Sequence, residues 1–278
     1  MAERAQQLRD AAEAGDLQTL RACLKAGADP NAANIYTNTP LVLAVRSNQL
    51  GCVQALLAAG ADPNLPSRPA LPHATRPGCE ACIPALLAAG ADPAAALLPI
   101  QWNPLHYAAA NGNTAAVLLL LDAAPATAAM TEYSGKPPLA LALSIHRIDA
   151  ARCLLEHAPL PPASQALALL ATACKSPPRY APLAALQPLY ATLVARQPLT
   201  PEQWDIVPAP CAGLGAALPA VLERSVGEAA LLVQHLPAAD KARLRTAALC
   251  LRRGHQGASA PLHTPIVWRL LALCVAAA

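Results

Sequence analysis

Leucine and alanine are clustered in short runs that recur along the first part of the chain, and each run ends at a glycine. The runs RACLKAG, VQALLAAG and IPALLAAG end at Gly27, Gly60 and Gly90, which are 33 and 30 residues apart. A polar ADP turn follows each glycine. Glycine readily adopts the left-handed conformation that ends many helices. The pattern therefore predicts a short apolar helix that ends at each of these positions.

A second motif, built on proline and leucine, precedes these runs and also recurs. TPLVLAVRSN starts at Thr39, NPLHYAAANGN at Asn103 and PPLALALSIHR at Pro137. Proline is tolerated in the first helical turn, where its missing N–H costs nothing, and the preceding Thr or Asn can cap the helix. Pro104 and Pro138 are 34 residues apart, close to the glycine spacing. Each motif therefore predicts the first helix of a two-helix unit.

Small and branched side chains occupy repeating positions within these units. Ala44, Ala108 and Ala142 are small, which lets the two helices of a unit touch. Paired leucines in the second helices are expected to fill the space between neighbouring units: Leu56-Leu57, Leu86-Leu87 and Leu154-Leu155. A unit of this size cannot bury its own apolar face, so the units must stack.

The two motifs and their spacing resemble the ankyrin repeat, closely over residues 3–160 and only faintly afterwards. NPLHYAAANGN matches the family's T-P-L-H-x-A-A-x-x-G-x motif except that Asn103 replaces Thr. The resemblance implies an all-α solenoid, in which a turn precedes two antiparallel helices in every repeat. It also implies that His106 makes a structural hydrogen bond between neighbouring turns. We expect about eight helix pairs in an elongated, right-handed stack with almost no strand.

The chain divides into ankyrin repeats one to five over residues 3–163 and degenerate helical repeats with a C-terminal cap over 164–278. The five repeats are 3–33, 34–66, 67–97, 98–130 and 131–163. Apolar runs in the second part predict three further pairs, although these could instead form a separate helical cap or adaptor module. The paired segments are 166–174 with 183–194, 214–225 with 226–236, and 243–254 with 264–274.

Repeat three departs from the pattern. The spacing from Gly60 to Gly90 is three residues shorter than that from Gly27 to Gly60, and repeat three carries Pro69, Pro72, Pro77 and Pro84 within a short segment. Proline removes a helical hydrogen bond and clashes with the preceding turn. We therefore expect the first helix of this repeat to be very short or missing.

Composition agrees with short, closely packed helices. Hydrophobic residues make up 55% of the chain, aromatics only 3%, and phenylalanine is absent. The net charge of +3 does not by itself indicate a nucleic-acid partner. Six basic side chains and one acidic side chain follow residue 237. They are expected to form the solvated face that ends the stack. An anion- or RNA-binding patch is the alternative, weakened because no aromatic residue lies between Arg243 and Arg253.

The sequence favours a protein that works inside the cell, in the cytoplasm or the nucleus. Nine scattered cysteines, an odd number, do not suggest a secreted disulfide framework. The polar start MAERAQQLRD does not read as a signal peptide. The longest uncharged stretch, 93–121, contains Asn, Gln, His and Pro, so no membrane insertion is expected.

Candidate catalytic and metal-binding patterns are weak. Cys79 and Cys82 have C-x-x-C spacing with His73 nearby, but no second C-x-x-C supplies the remaining ligands of a zinc site. Cys82 precedes Gly90 as Cys52 precedes Gly60, by eight residues, so it is expected to be a small apolar helix residue. No nucleophile, phosphate-loop or metalloprotease motif is present. We expect no catalytic residue, metal or cofactor, and therefore no enzyme activity.

The turns before the proline–leucine motifs carry three of the eight aromatic residues. In proteins with this repeat, the turns project as fingers beside a concave surface, and Tyr and Trp are enriched at binding hot spots. Local packing of these rings on the next turn is the alternative. By resemblance, the ends of the first helices also contact partners. The predicted partner-binding residues are Ile35, Tyr36, Asn38, Arg46, Ser47, Trp102, Ala110, Asn111, Tyr133, Ser134, Lys136, Ser144 and Ile145.

Two functions follow from this interpretation. The first is a monomeric, non-enzymatic scaffold that binds a protein partner, of unknown identity, on its concave face and fingers. The second is a substrate-receptor adaptor of a ubiquitin ligase, in which the C-terminal helices recruit a ligase subunit. Leu270 and Cys274 loosely match the Leu-x-x-x-Cys core of an Elongin-binding box, but Arg269 stands where Ser, Thr or Pro is usual. The proline-rich segment that should follow is not present before the chain ends at Ala278.

Overall fold

A computed structural model describes residues 2–66, 68–97, 99–175, 183–244 and 246. The chain separates into two compact units, 1–159 and 160–278. Throughout the described ranges the regular structure is helical, and the one β-type pairing there is an isolated bridge between Leu97 and Trp102. The predicted all-α fold class is confirmed.

Five helix pairs follow one another in the first unit. A turn of two or three residues joins the two helices in every pair except the third, where the longer segment 75–82 separates them. The bounds are α1 Ala2–Ala14 with α2 Leu17–Lys25, α3 Pro40–Arg46 with α4 Leu50–Ala58, α5 Leu71–Ala74 with α6 Ile83–Ala88, α7 Pro104–Asn111 with α8 Thr114–Ala123, and α9 Pro138–Ser144 with α10 Ile148–His157.

The helices of the first unit stack in two parallel layers. Each first helix contacts the first helix of the next pair, in the order α1, α3, α5, α7 and α9. The second helices contact one another in the same way, from α2 through α4, α6 and α8 to α10. Each pair also packs internally. This nearest-neighbour order is that of a repeat solenoid.

The predicted caps are present at the starts of the first helices. Thr39 Oγ1 accepts a hydrogen bond from the Val42 amide at 3.2 Å, and Asn103 Oδ1 accepts one from the His106 amide at 2.9 Å. A proline follows each cap in the first turn of α3 and α7. The glycines that end the second helices have positive φ values: +80° at Gly27, +86° at Gly60 and +83° at Gly90.

Burial of the repeating positions agrees with the prediction for alanine and corrects it for leucine. Ala44, Ala108 and Ala142 are 0% exposed. In the leucine pairs of α4 and α6, only Leu56 and Leu86 are fully buried. Leu57 and Leu87 are half-buried, because the next position on a helix is turned by about 100° away from the neighbouring repeat. Both Leu154 and Leu155 of α10 are buried, as expected.

Asparagine side chains couple the loops that leave the second helices. Asn31 Nδ2 donates to the Gly60 carbonyl at 3.3 Å, and Asn31 Oδ1 accepts from the Asp62 amide at 2.8 Å. Each of these bonds joins one repeat to the next. One repeat further along, the equivalent residue makes the same two bonds, from Asn64 to Gly90 at 2.7 Å and to Asp92 at 2.8 Å.

Repeat three has the predicted defect. Its first helix, α5, is only four residues long, and its second helix, α6, begins with a 3₁₀ turn at Glu80–Cys82. Asn113 of the next repeat compensates, because its Nδ2 lies within 3.2 Å of the Thr75 and Arg76 carbonyls and its Oδ1 caps α8. A single buried asparagine therefore supports the disrupted turn of repeat three and starts a helix of repeat four.

The second unit contains α11 Ala163–Lys175, α12 Leu183–Arg196, α13 Pro201–Trp204, α14 Leu218–Arg224 and α15 Val226–Gln234, and residues 238–244 are also helical. The predicted segments of pairs six and seven are helical, and α11 packs on α12 as α14 packs on α15. The short α13 was not predicted. Its Trp204 is 1% exposed and lies against His235, with ring centroids 5.3 Å apart. Pair eight and the Leu270–Cys274 segment lie outside the described residues, except for the start of 243–254.

An ion pair joins three segments of the second unit. Arg224 Nη2 lies 2.8 Å from Glu228 Oε1, and Arg224 Nε lies 3.0 Å from Glu228 Oε2. Arg224 also donates to the Val194 carbonyl at 2.9 Å, in the last turn of α12. Glu228 Oε1 accepts from the Leu199 amide at 2.9 Å. The pair thus satisfies backbone groups at the end of α12 and in the loop after it.

Candidate functional site

The first finger is 35–38, the second is 100–103 and the third is 133–136. Each is a tight turn closed by backbone hydrogen bonds. The Asn34 amide donates to the Asn38 carbonyl at 3.0 Å, and the Leu97 amide donates to the Trp102 carbonyl at the same distance. In the third finger, the Glu132 amide donates to the Lys136 carbonyl at 3.1 Å. In the first finger the Asn34 side chain reinforces the turn, because its Oδ1 accepts from the Tyr36 amide at 2.9 Å.

The finger tips carry large apolar side chains that face solvent. Ile35 is 89% exposed, Tyr36 is 70% exposed and Tyr133 is 81% exposed. Ser134 and Lys136 are also exposed. The described residues contain few aromatic rings, so two exposed tyrosines at finger tips indicate a binding surface more strongly than scattered surface leucines would.

Two predicted finger residues are less exposed than expected. Asn38 is buried, with 9% exposure, and its amide donates to Asn34 Oδ1 at 3.0 Å, so it shapes the first finger and does not lie on its surface. Trp102 is half-buried and makes an edge contact with Tyr107, with centroids 5.1 Å apart. The local-packing alternative therefore describes part of the Trp102 ring.

The remaining predicted residues lie at the ends of the first helices α3, α7 and α9. Arg46, Ser144 and Ile145 are exposed, while Ser47, Ala110 and Asn111 are half-buried. Asn111 Nδ2 donates to Thr75 Oγ1 at 3.2 Å, which commits part of this side chain to the contact with repeat three.

His106 connects a first helix to the next finger. Its Nε2 lies 3.0 Å from the Lys136 carbonyl, and its Nδ1 lies 2.8 Å from Asn103 Oδ1. The ring is fully buried, and this burial lowers its pKa. The structural hydrogen bond that the resemblance implies is present, and it fixes the base of the third finger.

A concave cavity of about 480 Å³ lies between repeats three and four, and the sequence did not predict it. Its walls include Arg68, His73, Arg76 and Tyr107. Arg68 Nε donates to His73 Nε2 at 3.2 Å, and Arg68 Nη1 donates to the Tyr36 carbonyl at 3.0 Å. Arg68 therefore connects the wall of the cavity to the first finger. The only sequence feature that could have indicated this cavity is the proline cluster of repeat three, because the prolines shorten α5 and leave space beside it.

Burial lowers the pKa of His73, and this makes the stability of the fold depend on pH. Desolvation, reinforced by the charges of Arg68, Arg46 and Arg76, lowers its pKa from 6.5 to about 4. In the unfolded chain the ring takes up a proton near its ordinary pKa, whereas the folded protein resists this until about pH 4. The folded state therefore gains stability from neutral His73 above pH 6.5 and loses it progressively as the pH falls.

We expect the free energy of unfolding to fall by about 1–3 kcal/mol more between pH 7 and pH 4.5 in the wild type than in His73→Gln, which does not titrate. Urea titrations followed by circular dichroism at each pH measure the difference. His157→Gln is the control, because His157 is exposed. Equal pH dependence of the wild type and His73→Gln would contradict this account.

The two cysteines of the C-x-x-C segment point toward the preceding repeat. Cys79 Sγ lies 3.7 Å from the Arg46 carbonyl, and Cys82 Sγ lies 3.8 Å from Asn48 Oδ1. Burial raises the pKa of Cys82 to about 11, which keeps it a thiol at neutral pH. Among the described residues, no group of three or more His, Cys, Asp or Glu side chains is arranged to hold a metal ion.

The family model for ankyrin repeats, in three copies, matches residues 8–96 and 71–163. No curated protein matches the chain at a significant level. In the part of the chain that the structure describes, no helix combines the length and the apolar character needed to cross a membrane.

Proposed function

The chain belongs to the ankyrin repeat family, whose repeats are protein–protein interaction modules, and from this premise we propose that it is a non-enzymatic scaffold that binds a protein partner with its fingers and inner helix ends. The observation that carries the proposal is the exposure of Tyr36 and Tyr133 at two finger tips. Large exposed aromatic side chains supply contact area at a small entropic cost, and their hydroxyl groups can still find partners.

The proposed surface joins the fingers to the ends of α3, α7 and α9. The Tyr133 amide donates to the Ile100 carbonyl at 3.3 Å, so the second and third fingers are held against each other. Ile100 of the second finger and Ile145 at the end of α9 are each 43% exposed and add apolar area to this surface. Arg46, Ser134, Lys136 and Ser144 supply a polar rim, the usual surround of an interface core.

The cysteines support a place inside the cell, in the cytoplasm or nucleus. Seven cysteines in the described ranges are free thiols, and six of these are buried. A chain with many reduced, buried thiols suits a reducing compartment. The Cys79 and Cys211 thiols each lie against a backbone carbonyl, of Arg46 and Gln187 respectively. These contacts support a structural role for the two cysteines and not a catalytic one.

The double variant Tyr36→Ala/Tyr133→Ala should weaken partner binding by at least tenfold, because hot-spot aromatics contribute about 1–2 kcal/mol each. Thermal stability should stay unchanged, since both rings are exposed. Affinity purification with quantitative mass spectrometry identifies the proteins retained by the wild type, and calorimetry then measures the dissociation constant of each.

Leu118→Ala is the matched control. Leu118 is 44% exposed on α8, in the opposite layer of helices, and its loss removes a similar apolar side chain. If the finger variant keeps every partner at wild-type affinity, the proposed surface is wrong.

A further inference from the structure

The cavity between repeats three and four has an uncompensated positive charge. Arg68 and Arg76 line it, and Arg46 lies close enough to act on His73 electrostatically. No aspartate or glutamate is among its described lining residues. Of the ion pairs found between described residues, none includes any of these three arginines.

The hydrogen bonds of Arg68 leave its charge unneutralised. Its two acceptors are the His73 ring nitrogen and the Tyr36 carbonyl, and both are neutral groups. Protonation of His73 is disfavoured by the burial of its ring and by the guanidinium groups around it. The cavity therefore presents arginine charge beside a neutral ring, an arrangement that attracts an anion and not a cation.

The other walls suit a peptide better than a small inorganic ion. Leu97, Pro99 and Ile100 form an apolar side, while Tyr107 and Asn111 add polar groups. A volume of about 480 Å³ is large enough for a few side chains. Ile100 also belongs to the second finger, so a chain that crosses the fingers would reach the cavity without a break.

We propose that this cavity receives an aspartate or glutamate side chain, with an apolar residue next to it, from an acidic segment of the protein partner. Arg76 is exposed and free to turn toward the carboxylate, and Arg68 is already held in place at the wall. Arginine suits this role because its planar guanidinium can donate two parallel hydrogen bonds to one carboxylate. The inference rests on the proposed function and names the partner chemistry at one end of that surface.

The test uses the full-length chain and a display library of random 12-residue peptides as the probe. Selected peptides should be enriched in Asp or Glu beside an apolar residue. Arg76→Gln should weaken their binding, measured by fluorescence anisotropy, by about tenfold, the usual value for a lost charge-assisted hydrogen bond. Replacing the acidic residue of the peptide by its amide should have a similar effect, and added NaCl should weaken binding to the wild type.

Arg21→Gln, on exposed α2 surface away from the cavity, is the charge-matched control and should bind as the wild type does. Arg68→Gln provides a second cavity variant; circular dichroism shows whether it folds. Peptides without acidic enrichment, unchanged binding to Arg76→Gln, tighter binding of a phosphoserine version, or preference for a single-stranded RNA 12-mer would each overturn the proposal.

The two proposals fail separately. If peptides bind Arg76→Gln as tightly as the wild type but bind Tyr36→Ala/Tyr133→Ala more weakly, the proposed site for an acidic side chain is wrong and the finger surface is supported. A library that yields no binder to the wild type would count against both.

Discussion

Leu56→Ala should lower the free energy of unfolding of the first unit by about 2–5 kcal/mol. Leu56 is 0% exposed in α4, which contacts both α2 and α6. Its truncation leaves a cavity at two interfaces, and a stacked array has no other core that can compensate. Urea titration followed by circular dichroism measures the loss, and hydrogen exchange with mass spectrometry should locate it in residues 34–66 and the adjoining repeats.

Leu57→Ala is the matched control, because the same atoms are removed from the adjacent, half-buried position. We expect it to cost about half as much or less, in proportion to the apolar area that it buries. Equal losses in the two variants, or a loss below about 1 kcal/mol for Leu56→Ala, would show that the side chains are packed differently. Because the chain has two units, the transition of the first unit must be compared separately.

Arg224→Ala should destabilise the second unit by about 2–4 kcal/mol. The Glu228 side chain is 7% exposed and would lose both bonds to the guanidinium, keeping only the Leu199 amide as a partner. The Val194 carbonyl would lose a donor as well. The expected loss lies below that of a fully buried pair, because the Arg224 side chain is 27% exposed.

Fluorescence of Trp204 reports this unit directly, in a background where Trp102 and Trp268 are replaced by Phe. Arg243→Ala is the control, since its pair with Asp240 is 3.5 Å long and its side chain is 84% exposed. That variant should cost less than about 0.5 kcal/mol. Similar losses in both variants would mean that the Arg224–Glu228 pair contributes no more than a surface contact.

The sequence predicted the first unit well because each helix is marked locally. A cap, a proline and a terminal glycine all lie within a single repeat, so Thr39, Pro40 and Gly60 mark the start and end of one helix pair without any distant contact. The shortening of α5 was predicted for the same reason, from prolines in its own segment. The exposed positions of Tyr36 and Tyr133 agree with the finger interpretation, and their role in binding stays a prediction.

Features that depend on pairs of distant residues could not be predicted. Arg68 and His73 define a cavity only because α7 brings Tyr107 beside them. Asn113 bonds to a turn more than thirty residues earlier, and no local pattern distinguishes it from an ordinary helix cap. The half-burial of Leu57 and the burial of Asn38 reflect helix rotation and turn geometry that motif spacing does not encode.

The hydrogen bonds of Asn31 and Asn64 make repeat two a unit that could be duplicated with its connections intact. Asn31 of the preceding repeat bonds to Gly60 and Asp62 of repeat two, and Asn64 of repeat two makes the equivalent bonds to the following repeat. A duplicated copy of residues 34–66 inserted in tandem would thus find matching connections at both of its ends. Repeat three could not be copied in this way, because Ala94 stands where Asn31 and Asn64 stand and has no amide to pass on. Growth of the array by tandem duplication would therefore preserve the asparagine bonds at the first two junctions, whereas a copy of repeat three would bring no such bonds with it.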